Sequence, residues 1–166
     1  MTAQGYFGKY RGVVADTKDP LGLGRIKARV PAVYGEQPSG WAMPCLPFAG
    51  ANAGFFGLPL DNAGVWIEFE SGDPNRPIWS GCWWGSSAEV PAALKADAAK
   101  KVLLRTQGGH SILFDDTAGS GGITLETSGG QKITLTSSGV EITNGQAKVK
   151  LSGSQVTVND GALEIT

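Results

Sequence analysis

The sequence has little of what catalysis and metal binding require. Its 166 residues include a single histidine, His110, and two cysteines, Cys45 and Cys82. One histidine leaves few acid–base or metal-ligand arrangements available. Two cysteines cannot form the disulfide framework of a small secreted domain. We interpret both thiols as reduced and buried, as expected of a protein made in a cytoplasm. No catalytic residue, cofactor or metal site is therefore predicted.

An excess of positive charge and long apolar runs are also missing. Lys and Arg number 14 against 15 Asp and Glu, for a formal net charge of -1. This balance argues against general binding to a phosphate backbone. No run of about 18 apolar residues occurs, so no single membrane-spanning helix is expected. The first ten residues lack the apolar segment of a signal peptide.

Bulky and rigid residues are confined to the first part of the chain. All nine prolines lie between Pro20 and Pro91, and all five tryptophans lie between Trp41 and Trp84. No aromatic residue follows Phe114. The composition therefore predicts a globular domain over residues 1–85 and a different kind of structure over 102–166. An alanine- and lysine-rich linker, forming a short exposed helix or an ordered tether, is expected at 86–101.

The first part has the pattern of short strands separated by turns. Strands are predicted over 6–15, 24–31, 64–70 and 77–84, where apolar residues alternate with polar ones or form short β-branched and aromatic runs. The sequence Ser71-Gly72-Asp73-Pro74-Asn75 is typical of a turn. Four or five short strands without a convincing helix predict a small closed β-barrel.

The second part consists of aliphatic doublets separated by polar turns. Within each doublet the two residues are spaced by two, so both side chains face the same way on a strand. Turn dipeptides such as Asn144-Gly145 and Asp160-Gly161 separate the doublets. The predicted doublets are Ile123/Leu125, Ile133/Leu135, Val140/Ile142, Val149/Leu151, Val156/Val158 and Leu163/Ile165.

One such stack is too thin to fold alone. Burying the aliphatic surface of one doublet contributes about 2–4 kcal/mol of stabilisation. Ordering the residues of that doublet and its turn costs about 1–2 kcal/mol per residue in backbone entropy. We expect several identical copies to meet at one axis, with strands of different chains paired edge to edge and the twelve doublet residues forming a shared core. A three-sided prism is the smallest closed arrangement, although periodicity alone leaves other oligomers open. A monomeric β-solenoid is the alternative, but its coils are usually longer.

Four segments carry a resemblance to a known family. The region 24–85 resembles the oligonucleotide/oligosaccharide-binding-type (OB-fold) barrel of the spike proteins of contractile injection systems: phage baseplate assembly protein V, the T4-type central spike and the VgrG spike of type VI secretion. The resembling segments are Leu23–Pro31, Ser39–Pro44, Gly54–Pro59 and, most diagnostic, Gly64–Gly81. The repetitive β-region that follows agrees with the resemblance.

The resemblance implies an all-β protein, in which an OB-fold barrel precedes an intertwined trimeric β-helix or β-prism stalk. It implies a homotrimeric, non-enzymatic central spike in the tail baseplate of a virion or in a related injection particle. A separate hub protein is expected at the barrel end, and the stalk contacts the target envelope transiently as it pierces it mechanically. The stalk end lacks a His-x-His motif, so a separate tip protein such as a PAAR-repeat protein is expected there.

Several polar residues have a functional and a structural interpretation. His110 is either a metal ligand shared by three copies or, as we favour, a solvent-facing or hydrogen-bonded side chain. The pair Asp115-Asp116 is expected to begin a turn, and Glu68 and Glu70 are expected to be outward polar residues of one strand rather than an acid–base pair. Gly22-Leu23-Gly24 is too short for a phosphate loop.

The five tryptophans suggest an alternative function, in which the barrel binds a ligand. They could stack on bases or sugars, which would make the protein a trimeric fibre or adhesin with a glycan-binding barrel. Because no basic lining accompanies them in the sequence, core packing or contact with other subunits is favoured.

Overall fold

The computed structural model describes residues 5–165 and divides the chain into two compact units, residues up to 89 and residues from 90 onward. Within residues 5–89, the first unit has seven strands and one short α-helix. They are β1 (Tyr10–Asp16), β2 (Lys27–Arg29), α1 (Pro31–Tyr34), β3 (Met43–Pro44), β4 (Ala49–Gly50), β5 (Ala53–Gly54), β6 (Gly64–Phe69) and β7 (Pro77–Trp83).

Five of these strands form a closed barrel. Their order in the sheet is β2-β1-β6-β7-β3, and β3 runs parallel to β7. The ring closes next to β2, where the Ile26 N–H donates to the Ala42 carbonyl at 3.2 Å and the Ala42 N–H donates back to Ile26 at 2.8 Å. The predicted small closed barrel is therefore confirmed.

The barrel interior is filled by alternate residues of its strands. In β6, Val65, Ile67 and Phe69 point inward, as the period of two predicts for a strand with one buried face. The Trp79 ring is also buried, and its indole N–H donates to the Gly24 carbonyl at 3.0 Å. The core residues are Val14, Ile26, Ala28, Val30, Ala42, Val65, Ile67, Phe69 and Trp79.

Two local expectations for the barrel are wrong. Pro31–Tyr34 forms one turn of α-helix, where no helix was predicted; Pro at its first position supplies a helical φ without needing a hydrogen bond. Within the expected linker, Ala92–Leu94 and Ala98–Lys100 form two 3₁₀ turns. Cys45 and Cys82 are both exposed instead of buried, because they lie near the ends of the barrel strands, outside the core.

The second unit is a single antiparallel meander. Its eight strands pair in sequence order, each with its neighbours in the same chain. They are β8 (Lys101–Arg105), β9 (Ser111–Asp115), β10 (Gly122–Glu126), β11 (Lys132–Thr136), β12 (Gly139–Thr143), β13 (Lys148–Ser152), β14 (Gln155–Val158) and β15 (Leu163–Ile165).

The expected pairing of strands between chains is therefore wrong for these ladders. Each turn returns the chain beside the strand it has just left, so the backbone N–H and C=O groups are satisfied within one chain. What the meander lacks is a second layer. Of the residues between 90 and 163 whose burial is described, none is buried.

A part-buried ion pair organises the loop between β1 and β2. The Asp19 carboxylate, 3% exposed, accepts hydrogen bonds from the backbone N–H groups of Leu21, Leu23 and Arg25, and from the Arg25 guanidinium at 2.6 and 3.0 Å. Arg25 holds the pKa of Asp19 well below its usual range, and the backbone donors add to this effect. Asp19 thus links the loop to the start of β2.

We expect Asp19→Asn to lower the midpoint of barrel unfolding by several degrees at pH 7, because it removes the charge opposite Arg25. Since the folded pKa is depressed, the stabilisation is present above the ordinary Asp pKa of about 3.9 and is lost as the pH falls through the folded value. The deficit should therefore be constant from pH 7 to 5 and shrink in stronger acid. Tryptophan fluorescence reports this transition, since all five tryptophans lie in the barrel.

Asp61→Asn is the matched control, because among the described residues the exposed Asp61 side chain accepts a single 3.3 Å hydrogen bond, from Thr17. Equal midpoints for the two variants at pH 7 would contradict the role assigned to Asp19.

Candidate assembly interface

One face of the meander is aliphatic from end to end. In an antiparallel pair, directly opposed residues lie on the same face of the sheet. Ile123 opposes Leu135, Leu135 opposes Val140, and Val140 opposes Leu151. Leu125, Ile133, Ile142 and Val149 continue in the same way, and the last pairings are Val156 with Ile165 and Val158 with Leu163. The register thus places all twelve predicted residues on one face.

Two further doublets extend this face toward the linker. Val102 opposes Phe114 and Leu104 opposes Ile112, while Ile112 and Phe114 oppose Leu125 and Ile123. The predicted doublets begin at Ile123 and leave out these four residues, although the four have the same spacing of two. We call the sixteen residues the aliphatic face: Val102, Leu104, Ile112, Phe114, Ile123, Leu125, Ile133, Leu135, Val140, Ile142, Val149, Leu151, Val156, Val158, Leu163 and Ile165.

Much of the aliphatic face is open to solvent. Val102 is 67% exposed, Leu104 58% and Ile142 49%. Phe114, Leu125, Ile133, Leu135, Leu151 and Leu163 are also exposed. Contiguous apolar surface of this extent on a folded unit marks an interaction site.

The opposite face is mostly polar and its charges compensate one another. Thr124 opposes Thr134, Thr134 opposes Glu141, Glu141 opposes Lys150, and Lys150 opposes Thr157. Cross-strand pairs of opposite charge or of threonines stabilise a sheet whose face is solvated. The meander is therefore amphipathic, with one face suited to water and the other to burial.

The turns of the meander form two edges. We call one the His110 edge, made of turns 106–110, 127–131, 144–147 and 159–162, and the other the Asp116 edge, made of turns 116–121, 137–138 and 153–154. On the His110 edge, Lys132 pairs with Glu126 at 3.2 Å and Lys148 pairs with Asp160 at 2.6 Å. The Asp160 carboxylate raises the pKa of Lys148.

The predicted turn at Asp115-Asp116 is confirmed in its details. The Asp115 carboxylate accepts the Thr117 hydroxyl at 2.6 Å and the Thr117 N–H at 2.9 Å, and it lies 3.8 Å from the Lys101 ammonium. The Thr117 hydroxyl, followed by the Thr117 N–H, lowers the pKa of Asp115. Lys101 also donates to the carbonyls of Ala93 and Ala96, which joins the linker turns to the first strand of the meander.

Glu68 and Glu70 do not share a strand face. Glu68 lies on β6 and pairs with Lys9 at 2.8 Å, and this hydrogen bond lowers the pKa of Glu68. Glu70 begins a 3₁₀ turn after the strand and pairs with Arg76 at 2.7 Å. Both carboxylates are partners of surface cations, and nothing in their placement brings them together for acid–base chemistry.

The expectation that no basic residues accompany the tryptophans is wrong. The Arg11 guanidinium lies 5.5 Å from the Trp66 ring centre and 5.0 Å from that of Trp83. Arg25 and Lys27 lie 5.6 and 4.9 Å from the Trp41 ring centre. These cation–π contacts reduce the ring area left for sugars or bases. For the contacts to Trp41, the sequence already indicated a basic surface, because Arg25 and Lys27 alternate with apolar residues along the predicted strand.

Two negative findings apply to the described residues only. Among the side chains that the structure describes, no three of His, Cys, Asp or Glu are grouped so that they could hold a metal ion. In the same part of the chain, no helix has the length and apolar character needed to span a membrane.

A closed barrel joined to a one-sided β-meander has the arrangement of a structural assembly protein, and comparison with known families agrees. Residues 10–84 match the family described as the type VI secretion system/phage-baseplate injector OB domain. Residues 101–164 match the phage baseplate V C-terminal trimerisation domain. The chain therefore belongs to the phage baseplate V and VgrG-like spike family.

Curated relatives from Vibrio cholerae serotype O1 agree with this assignment. The type VI secretion system spike protein VgrG3 is 32% identical over 112 residues, which cover 62% of this chain and 11% of the relative. The actin cross-linking toxin VgrG1 is 32% identical over 105 residues, which cover 58% of this chain and 10% of the relative. The chain thus spans about a tenth of the length of these relatives.

The register of β12 and β13 is tested by substitution of Gly139, where the two strands lie close together. A Cβ built at Gly139 would lie 1.9 Å from the Leu151 carbonyl oxygen, and its φ is +135°. Gly145 also has a positive φ, of +92°, but a Cβ there meets nothing within 4 Å. We expect Gly145→Ala to cost about 1–2 kcal/mol per chain for the left-handed backbone alone.

Gly139→Ala should cost distinctly more, because the β12–β13 ladder must also open. The comparison is made by chemical denaturation of the two variants, followed by far-UV circular dichroism. Equal unfolding midpoints would show that the β12–β13 register differs from the one described.

Proposed function

We propose that three copies of this chain pack their aliphatic faces around one axis and form the central spike of a contractile phage tail or related injection particle. The aliphatic face carries this proposal, because it is continuous over eight strands and has no cover within the described chain. The match of residues 101–164 to a trimerisation domain supports three copies. The match of residues 10–84 to an injector OB domain supports the place in the particle.

The dimensions of the meander fit a triangular prism. A five-residue strand is about 17 Å long, so three sheets of this width enclose a prism whose faces lie about 5 Å from the axis. Packed sheets are about 10 Å apart, which allots about 5 Å to the side chains of each sheet. The Leu, Ile and Val side chains of the aliphatic face therefore reach the axis without a void.

Other oligomers fit the same strands less well. Four sheets of this width would stand about 8–9 Å from the axis and leave a central channel that these side chains do not fill. Two sheets would form a sandwich whose lateral edges stay open to water on both sides. Three copies cover the aliphatic face most completely.

A prism of this kind resists mechanical load. Eight rungs spaced at about 4.8 Å form a column about 35 Å long, in which every rung combines hydrogen-bonded ladders in the sheets with aliphatic contacts at the axis. The energy that holds the column is spread evenly along it, since each strand contributes two aliphatic side chains. Stiffness under axial force is the property that a piercing spike needs, and it requires no bond chemistry.

The partners follow from the place in the particle. The barrels are proposed to join a baseplate hub, and the stalk end to carry a separate tip protein such as a PAAR-repeat protein, with the target envelope contacted transiently during contraction. Synthesis in the bacterial cytoplasm before assembly is part of the same proposal. The family matches support assembly with baseplate components.

Adjacent residues of β11 provide a matched test of the trimer. Ile133 belongs to the aliphatic face, whereas Thr134 lies on the polar face of the same strand. We expect Ile133→Glu to abolish the trimer, because it places three carboxylates in an apolar axis. Thr134→Glu should leave the mass near three times the chain mass of 17.2 kDa. Light scattering coupled to size exclusion measures both.

A monomeric wild-type protein would contradict the proposal outright. Equal loss of the trimer in both variants would show that the aliphatic face is not specifically involved.

The role in the particle is tested with the same pair of variants. Producing cells that carry Ile133→Glu should yield particles that fail to kill or infect the target, whereas Thr134→Glu should retain activity within a few-fold. Electron microscopy of purified particles shows whether the spike density is present. Full activity of particles that lack the spike density would refute a piercing role.

A further inference from the structure

The single histidine of the chain is exposed, lies at one end of β9, and is held in one orientation. The Ser128 N–H donates to Nδ1 of His110 at 3.3 Å. In the neutral imidazole the proton therefore resides on Nε2. Within residues 5–165, Nε2 has no hydrogen-bond partner, so a fixed N–H donor is left available on the His110 edge.

An unpartnered acceptor lies at the opposite end of the same strand. Asp116 is exposed, and its backbone N–H donates to the Lys100 carbonyl at 2.8 Å. The Asp116 carboxylate has no hydrogen bond or ion pair with any other residue that the structure describes. Its neighbour Asp115, by contrast, is fully engaged with Thr117 and Lys101.

Both residues continue the β9 ladder on the side of the aliphatic face. The Thr106 N–H donates to the His110 carbonyl at 2.9 Å, and Asp116 bonds to Lys100, so the strand pairing of β8 with β9 extends by one residue at each end. Ile112 and Phe114 belong to the aliphatic face, and the period of two places positions 110 and 116 on that same side. His110 and Asp116 thus flank the aliphatic face on one rung.

Symmetry brings these two ends together between copies. A closed homotrimer has a threefold rotation axis, and its interfaces join unlike edges of neighbouring copies. Each corner of the prism therefore joins the His110 edge of one copy to the Asp116 edge of the next. Rotation about an axis parallel to the aliphatic columns moves no residue along that axis, so the two ends of β9 meet at one height.

We propose that His110 Nε2–H donates a hydrogen bond to the carboxylate of Asp116 of the partner subunit, once at each of the three corners of the trimer. This inference rests on the proposed trimer and adds the polar contact that sets the axial register of its copies. Aliphatic columns alone specify register weakly, because a slip by one rung replaces one aliphatic contact by another. A directional hydrogen bond from an imidazole N–H to a carboxylate is lost when the copies slip by one rung, so it disfavours the slipped register. Placed at the corners, the three histidines are too far apart to share one metal ion.

Cysteine cross-linking tests this geometry directly. The background is Cys45→Ser with Cys82→Ser, which removes the two exposed native thiols. Within one chain, positions 110 and 116 are about 20 Å apart along the strand, far beyond the Cα separation of about 7 Å that a disulfide tolerates. In the double variant H110C/D116C, oxidation should therefore join different copies and give a covalent trimer on a non-reducing denaturing gel.

A register control uses the same His110 edge with a distant position on the Asp116 edge. In H110C/S154C the two thiols are separated by four to five rungs, or about 20 Å along the axis, and no covalent trimer is expected. A trimer from H110C/S154C without one from H110C/D116C would overturn the proposed register.

Nuclear magnetic resonance of the intact trimer tests the native contact without cysteines. With one histidine per chain, selective ¹⁵N-histidine labelling gives a single set of side-chain signals. Asp116→Asn should shift the His110 Nε2 signal and speed exchange of its proton, while Asp160→Asn, another stalk carboxylate, should not. Unchanged His110 signals in Asp116→Asn would refute the hydrogen bond.

The outcomes separate this inference from the proposed function. If the cysteine-free background is a trimer but H110C/D116C gives no covalent trimer, the corner contact is wrong and the spike remains. If the background is a monomer, the proposed function fails first, and the corner contact fails with it.

Discussion

The structure of this chain depends on one constraint: an aliphatic sheet face that the chain itself does not cover. The eight strands of the C-terminal unit pair their backbone N–H and C=O groups with one another, within one chain. The same unit does not remove its apolar side chains from water, because none of its residues between 90 and 163 with described burial is buried. Association is then the way to remove the aliphatic face from water, at about 25 cal/mol per Å².

The barrel, by contrast, covers its own apolar residues. Its nine core residues are enclosed within one chain, and the Ile26–Ala42 bridge removes the open sheet edge. Around that core, polar contacts such as Asp19 with Arg25 fix the loops. The two units therefore combine a domain that encloses its own core with one that leaves an aliphatic face uncovered within the described residues. This combination suits the assembly role proposed above.

The distribution of polar groups in the meander has a consistent physical logic. Several charges at the strand ends are paired, as in Glu126 with Lys132 and Lys148 with Asp160. Charges on the polar face oppose one another across strands. The aliphatic face itself carries no charge. An arrangement of this kind keeps ionic groups in water and leaves the face dry when it is covered, so the desolvation cost of assembly is small.

The sequence by itself determined the barrel, the break in composition and the one-sided aliphatic pattern, because side-chain periodicity and turn residues are local properties of the chain. It also identified twelve members of the aliphatic face by their spacing. It could not decide which strands pair. The ladders within one chain and the exposure of both cysteines emerged only from the tertiary structure. Pairing and burial depend on contacts between distant residues, and the same period of two is compatible with neighbours from the same chain or from another copy.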